Sequence, residues 1–233
     1  MQRSIWAVVP AAGVGRRMGA DVPKQYLMLG EVCILQHTIE RLREHPAVRA
    51  VIVAVAVDDE YFSTLTITDE VECVAGGTER ADSVLNALEY LSVRGFDDDW
   101  ALVHDAVRPC LHWSDIDQLV EHARLNESGA LLATPVRDTM KRVHKGRVTA
   151  TVAREALWHA LTPQLFPVRV LRDALLAARA QGVSVTDDAQ AMERAGHTPD
   201  VVHGRADNIK ITRAEDLELA EMFLARTDLG ARR

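Results

Sequence analysis

The chain is short of the features that mark a secreted, membrane-bound or nucleic-acid-coating protein. It has three cysteines in 233 residues: Cys33, Cys73 and Cys110. They are odd in number and far apart, and none stands in a CxxC or Cys/His cluster with metal-ligand spacing. That excludes a disulfide framework and a structural zinc site. The three thiols are expected as small core hydrophobes in a reducing cytosol. No apolar run approaches the ~18 residues of a membrane span, and no charged lead followed by a long apolar stretch opens the chain. The expectation is a cytoplasmic protein with no membrane partner. An excess of positive charge is missing too, since 27 Lys and Arg against 34 Asp and Glu give a net charge of −7. The surface as a whole is therefore not a nucleic-acid footprint, and any cationic site must be built locally. Internal repeats and low-complexity stretches are also absent.

What is present is an ordinary core-forming composition, 48% hydrophobic and 26% charged. It suffices for one large α/β domain or two small ones. Short apolar runs at 4–9, 50–57, 71–75, 100–105 and 130–136 read as buried strands. Between and after them, 34–45, 80–91, 114–125, 169–182 and 213–227 carry helical spacing. In the last of these, Leu217, Leu219, Ala220, Phe223 and Leu224 make one apolar face. Ser114 stands where a helix starts, and Gly182 where one ends. Strands alternating with helices predict a mostly parallel sheet covered on both faces.

One segment breaks the rhythm. Residues 137–153, RDTMKRVHKGRVTATVA, are polar, basic and β-branched, and read as a hairpin around Lys145-Gly146. They hold too few apolar residues for a core strand pair. Either this is a solvated excursion, or it is an arm that packs on another subunit, because exposed strand edges invite pairing.

The first strand runs into VVPAAGVGRRMG, residues 8–19. In an open α/β sheet ligands sit at the carboxyl ends of strands, so this glycine turn stands at the binding edge. Gly13, Gly15 and Gly19 allow tight turns whose N–H groups point at anionic oxygens. The turn lacks the Lys-Ser/Thr end of a P-loop. It also lacks the GxGxxG spacing, and the acid some 20 residues on, of a dinucleotide fingerprint. A NAD-dependent oxidoreductase is weakened accordingly. Arginines in the turn point to phosphates carrying more charge, although Arg16 also fits a solvated surface group. Lys24 follows Pro23, whose ring fixes φ, and can turn back toward the loop to form a cationic clamp with Arg17.

These residues resemble the opening of the nucleotidyltransferases that make nucleoside-diphosphate sugars and alcohols. Further along stand GGTERADSV (76–84), HDAVRP (104–109), PVRDTMKR (135–142), WHALTPQ (158–164), TDDA (186–189) and GRADNIKIT (204–212). In this order they resemble the 2-C-methyl-D-erythritol 4-phosphate cytidylyltransferase family over essentially the whole chain. The resemblance implies a three-layer, Rossmann-like nucleotidyltransferase fold with a mostly parallel mixed sheet. It implies a single domain over 1–233, with 137–153 as a protruding hairpin arm for dimerisation. It also implies CTP and methylerythritol phosphate as substrates, Mg²⁺ or another divalent cation as companion, and a homodimer with shared sites.

Residue by residue, the resemblance assigns Arg17 and Lys24 to charge stabilisation at the α-phosphorus. It assigns Lys210 and Arg154 to positioning the incoming phosphate. Pro10, Ala11, Ala12, Gly13 and Gly15 line the cytidine and phosphate site. Gly77 and Ser83 recognise cytosine, and Ala106 approaches the ribose. Asp105 and Arg108 face the acceptor phosphate, while Thr139, Thr162 and Thr186 are hydroxyl contacts. Thr139 and Arg154 are implied to act in the partner's site. Asp105 and Asp207 are the candidate metal ligands.

Without the resemblance, Ser83 reads as a helix-surface serine and Arg154 as a surface ion-pair partner. Two departures stand out: Thr78 where the family often has an acid, and Val107 in place of a smaller alanine. His104 is read as structural, because a phosphate nucleophile is already ionised near neutral pH and needs no general base. Two other readings stay open, a ribitol-phosphate cytidylyltransferase and a non-catalytic nucleotide-binding module.

Overall fold

The computed structural model describes residues 3–13 and 22–231, with side chains given as far as 226. In chain order the elements are β1 (Ile5–Pro10), β2 (Met28–Leu29), β3 (Val32–Cys33), α1 (Ile34–Arg43), β4 (Val48–Val55) and β5 (Glu72–Ala75). Next come α2 (Arg80–Ser92), β6 (Trp100–Val103), α3 (Trp113–Leu125), β7 (Ala130–Pro135), β8 (Met140–His144) and β9 (Arg147–Val152). Then follow β10 (Trp158–Pro167), α4 (Val168–Ala180), α5 (Asp188–Arg194), β11 (Asp200–His203) and α6 (Glu215–Ala231).

Seven strands form one sheet in the order β11-β7-β10-β6-β1-β4-β5. Strands β4, β1 and β6 pair in parallel, as do β4 with β5 and β11 with β7. Only β10 runs antiparallel, between β6 and β7. The mixed, mostly parallel sheet expected from the sequence is present, with helices on both faces. The alternation within β1 shows how. Ile5, Ala7 and Val9 join a core with Leu35, Ile39 and Leu42 of α1 and Ile116 and Leu119 of α3. Trp6 and Val8 point the other way, onto Leu85, Leu88 and Leu91 of α2 and Leu171 and Leu175 of α4. A strand buried on both faces has no polar side, which is why these strands read as continuous apolar runs.

Several expectations need correcting. Strands β10 and β11 and helix α5 had no counterpart in the sequence reading. Cys73 lies exposed on the edge strand β5, whereas Cys33 and Cys110 are buried. Leu219 is exposed, so the apolar face of α6 is narrower than the spacing implied. Helix α3 is capped by His112, whose ring accepts the Ser114 backbone N–H at 3.2 Å. Gly182 does lie just past α4, with φ +65° and its N–H on the Arg179 carbonyl at 3.0 Å.

The 137–153 segment forms the expected hairpin, β8 with β9, turning at Lys145 (φ 46°) and Gly146 (φ 76°). Two successive positive φ values make the tight turn that matches strand twist. The hairpin is a separate two-stranded sheet, unpaired with the seven-stranded one.

Candidate active site

Strand order reverses at β1, with β4 and β5 on one side and β6 on the other. That switch point opens a crevice at the carboxyl ends of the strands. Pro10, Ala11, Ala12 and Gly13 after β1, Gly77 to Arg80 after β5, and Asp105 to Val107 after β6 line it. Lys24, Gln25, Ser83 and Lys210 complete its wall.

Gln25 is buried, and its amide donates to the carbonyls of Ala11 (2.9 Å) and Gly13 (3.0 Å). It pins the first loop beside Lys24. Gly76 faces the same loop, and a Cβ there would lie 2.3 Å from the Ala12 Cβ. A Cβ on Gly77 would lie 2.2 Å from that of Asp82. The glycine pair is therefore required by close approach. Ser83, 2% exposed, accepts the Gly77 N–H at 3.0 Å and donates to the Glu79 carbonyl at 3.2 Å. Its hydroxyl shapes the glycine turn that borders the cleft. Both departures from the family pattern, Thr78 and Val107, line the cleft too.

Asp105 is 7% exposed and sits among three cations. Its Oδ1 accepts from Arg80 Nε at 3.0 Å. Its Oδ2 takes Arg108 Nε at 3.2 Å and Lys210 Nζ at 3.0 Å. Burial opposes charge on this carboxylate, but Arg80, Lys210 and Arg108 outweigh it and hold Asp105 well below the usual carboxylate range. Arg80 also grips Asp188 with both terminal nitrogens, at 3.2 and 2.9 Å. Burial works against the Arg80 charge, and Asp188 and then Asp105 more than compensate, raising its pKa.

Behind Asp105 lies a fully used polar chain. His104 Nε2 donates to the Arg108 carbonyl at 3.0 Å, so its Nδ1 is bare and takes the Thr162 hydroxyl proton at 3.0 Å. Thr162 Oγ1 in turn accepts the Asp105 backbone N–H at 3.1 Å. Burial pushes His104 down to about 4, which keeps it neutral.

The positions assigned from the sequence separate into groups. Pro10, Ala11, Ala12, Gly13, Lys24, Gly77, Ser83, Asp105, Ala106 and Lys210 come together in the cleft. Gly15 and Arg17 lie outside the described residues. Arg108 and Thr162 are buried behind the cleft, where Asp105, Asn208 and His104 use their polar atoms. They support the Asp105 loop, and neither lines the cleft of this chain. Thr186 is exposed just before α5 and bonds Gln190 at 3.3 Å. Thr139 and Arg154 are exposed at the two feet of the hairpin, where Arg154 donates to the Arg137 carbonyl.

The two candidate metal ligands do not fit a cation site. Both Asp105 oxygens are committed to cationic side chains, and Asp207 is forked by Arg205, with Nε on Oδ1 at 2.9 Å. Among the described residues no three His, Cys, Asp or Glu side chains converge to hold a metal.

Arg80 and Gln25 are the site residues the sequence reading passed over. A signal existed for Arg80. An arginine in the first turn of a helix opposes the helix dipole and calls for carboxylate partners. A wider groove, about 940 Å³ against about 150 Å³ for the cleft, lies at the amino ends of the strands. Two of its arginines are already paired there, Arg3 with Glu127 at 3.2 Å and Arg124 with Glu121 at 3.3 Å. Among the described residues no glycine lines it, so it lacks the glycine turns of a phosphate site.

Known proteins with this arrangement agree with one another. The family described as "IspD: 2-C-methyl-D-erythritol 4-phosphate cytidylyltransferase" matches residues 5–226. A 2-C-methyl-D-erythritol 4-phosphate cytidylyltransferase of Vibrio vulnificus is 56% identical over 226 residues, covering 96% of this chain and 95% of the relative. One of Shewanella pealeana is 53% identical, covering 95% and 96%. Among solved structures, a 4-diphosphocytidyl-2C-methyl-D-erythritol synthase superposes with a TM-score of 0.86 at 36% identity, over 96% of this chain and 99% of its own. The Francisella tularensis 2-C-methyl-D-erythritol 4-phosphate cytidylyltransferase does so at 0.82 and 35%, over 94% and 99%.

Proposed function

The chain belongs to the 2-C-methyl-D-erythritol 4-phosphate cytidylyltransferase family, and on that premise we propose how its residues carry the reaction. It is a nucleotidyltransferase of the non-mevalonate route to isoprenoids. It transfers the cytidylyl group of CTP to 2-C-methyl-D-erythritol 4-phosphate, with release of pyrophosphate. An oxygen of the acceptor phosphate attacks the α-phosphorus while the bond to the β-phosphate breaks.

Two anions must meet. At 4 Å and an effective dielectric near 20, each pair of like charges repels by about 4 kcal/mol. Such a reaction needs positioning and charge stabilisation more than a covalent nucleophile. In our reading Lys24 and Arg17 neutralise the charge that develops at the α-phosphoryl group. Lys210, with Arg154 of a second copy, holds the acceptor phosphate in line. The turn after β1, at Ala12 and Gly13, offers backbone N–H groups to the nucleotide, Gly77 borders the base, and Ala106 approaches the ribose. No general base is needed. Neutral His104, with both ring nitrogens engaged, is not one. The observation that carries the reading is that Lys24 and Lys210, far apart in sequence, line one cleft with the glycine turns.

Mg²⁺ enters in this reading as part of the substrate, on the phosphates of CTP, since Asp105 and Asp207 already serve protein cations. We further propose a single-domain cytosolic enzyme that works as a homodimer through its arm. Supporting this, no described helix is long and apolar enough to cross a membrane. The hairpin also leaves Met140, Val143 and Val148 exposed on a strand pair that its own subunit does not cover. Thr139 and Arg154 stand at the base of that arm.

The test is release of pyrophosphate across CTP, UTP and ATP, each with methylerythritol phosphate, with ribitol phosphate and with no acceptor. The reading predicts release with CTP and methylerythritol phosphate together and not with CTP alone. Turnover with ribitol phosphate instead would reassign the acceptor. CTP binding with no release under any condition would make the chain a nucleotide-binding module.

A further inference from the structure

Arg80 lines the cleft and joins two carboxylates there, Asp105 and Asp188, yet no step of the reaction requires it. All three of its nitrogens are engaged. Nε holds Asp105 Oδ1 at 3.0 Å, and the two terminal nitrogens hold Asp188 Oδ1 and Oδ2 at 3.2 and 2.9 Å. These partners come from different parts of the fold, the loop after β6 and the first turn of α5. Asp188 is fully buried, and Arg80 is the cation that partners it there. A buried carboxylate without a partner is strongly disfavoured, so the α5 terminus is tied to wherever Arg80 stands.

The other consequence concerns Lys210. Asp105 has two oxygens, and Arg80 commits one of them. Lys210 is left with Oδ2, which it shares with Arg108 Nε at 3.2 Å. Arg108 cannot move away easily, being buried and also bonded to the Asn208 carbonyl at 2.8 Å. Lys210 is the exposed member of the trio, with 41% of its side chain accessible. It is therefore the one cation that can exchange Asp105 for an incoming phosphate. With Arg80 absent, Asp105 keeps Arg108 on Oδ2 but loses its anchor on Oδ1 and one of three neutralising charges, and holds Lys210 more firmly.

We propose that Arg80 is a positioning residue of the cytidylyl transfer. It fixes the Asp105 carboxylate so that Lys210 stands ready for the acceptor phosphate, and ties the Thr186–Asp188 segment to the same carboxylate. The inference rests on the reading of Lys210 as the residue that meets that phosphate. Lysine cannot replace Arg80, since one ammonium cannot serve two carboxylates in a fixed fork.

The experiment is a double-mutant cycle. Arg80→Lys is made in the native enzyme and in Lys210→Ala, and kcat/KM is measured by pyrophosphate release, with enough enzyme to follow the slow variants. If Arg80 acts through Lys210, Arg80→Lys alone costs about 10-fold or more, but less than about 3-fold once Lys210 is gone. The loss should fall on kcat and on KM for methylerythritol phosphate, with KM for CTP little changed. Full multiplication of the two losses overturns the proposal and makes Arg80 merely structural. Near-native activity of Lys210→Ala alone would instead overturn the reading of Lys210, a distinct outcome. If Arg80→Lys fails to fold, as judged by circular dichroism, Arg80→Gln takes its place. That change removes the charge and the fork that hold Asp105, and the same criterion applies.

Discussion

Asp105 keeps 7% of its surface accessible and is held by three cations from three separate segments. Every residue of β8 is exposed, and in β9 only Val152 is even partly covered. The cleft is thus assembled by folding of one chain, whereas the arm has a backbone conformation but no packing of its own. In the cleft, geometry comes from buried polar groups that leave few alternatives. At the arm, Thr139 and Arg154 have nothing from this chain's cleft to hold them in place. Lys24 and Lys210 line the cleft of one chain, whereas Arg154 does not, and in the proposed function it comes from a second copy.

The comparison is broken most forcefully at Lys24. Lys24→Ala should lower kcat about 10²-fold or more, the scale for losing one preorganised electrostatic donor, with little change in melting temperature. Steady-state pyrophosphate release and a thermal melt check both halves. Near-native kcat would remove Lys24 from the mechanism.

The rigidity of the cleft side can be read from pH. His104 has its pKa lowered to about 4 by burial, so its unfolded form binds the extra proton between about pH 6.5 and 4. Its contribution is complete above pH 6.5 and is lost as pH falls through 4, up to about 3 kcal/mol. Asp115 is raised to about 6 by burial and works in the opposite sense, losing stability as pH climbs from its unfolded value toward 6. The two slopes overlap and partly cancel. Denaturant melts of His104→Gln should be less steep in the acid direction than the native enzyme, and those of Asp115→Asn steeper. A His104→Gln profile parallel to native would show that His104 is not held neutral by the fold.

Gly76→Ala sharpens the contrast through packing. The added methyl would lie 2.3 Å from the Ala12 Cβ and 3.1 Å from Ser83 Oγ. We expect about 1–3 kcal/mol of destabilisation, as for overpacking elsewhere, and a raised KM for CTP. The smallest effect belongs to the arm. Val148→Thr, at an exposed position, should change the stability of an isolated subunit by no more than about 0.5 kcal/mol. A larger shift, measured at concentrations where subunits are separate, would mean that the arm packs on its own chain.

How much of this was legible follows from the same physics. Strands β1, β4, β6 and β7 stand out in the sequence because burial on both faces makes them continuous apolar runs. Strand β10 does not. Its Thr162 and Gln164 are polar because they hold the Asp105 loop and α5, so the strand looks like a loop motif. β11 is a four-residue edge strand with two exposed positions, too short for periodicity to register. Lys24, Lys210 and the glycine turns could be assigned from their motifs. Arg80 and Gln25 escaped because their partners are other parts of the chain, and sequence does not reveal who pairs with whom. For the same reason the depth of Arg108 and Thr162, buried behind the lining of the cleft, is not visible in the sequence.

The claim that joins the two regions is that one subunit's cleft is completed by the other's arm. Lys24→Ala and Arg154→Ala are each prepared as inactive enzyme, mixed, and allowed to exchange subunits, with exchange followed by native mass. In a mixed dimer both lesions fall in one site and the other is intact. Random exchange makes about half the dimers mixed, each with one good site of two, so activity should recover to about a quarter of native. Exchange complete by mass, with activity still at the level of the two parents, would contradict the account and return Arg154 to its own subunit.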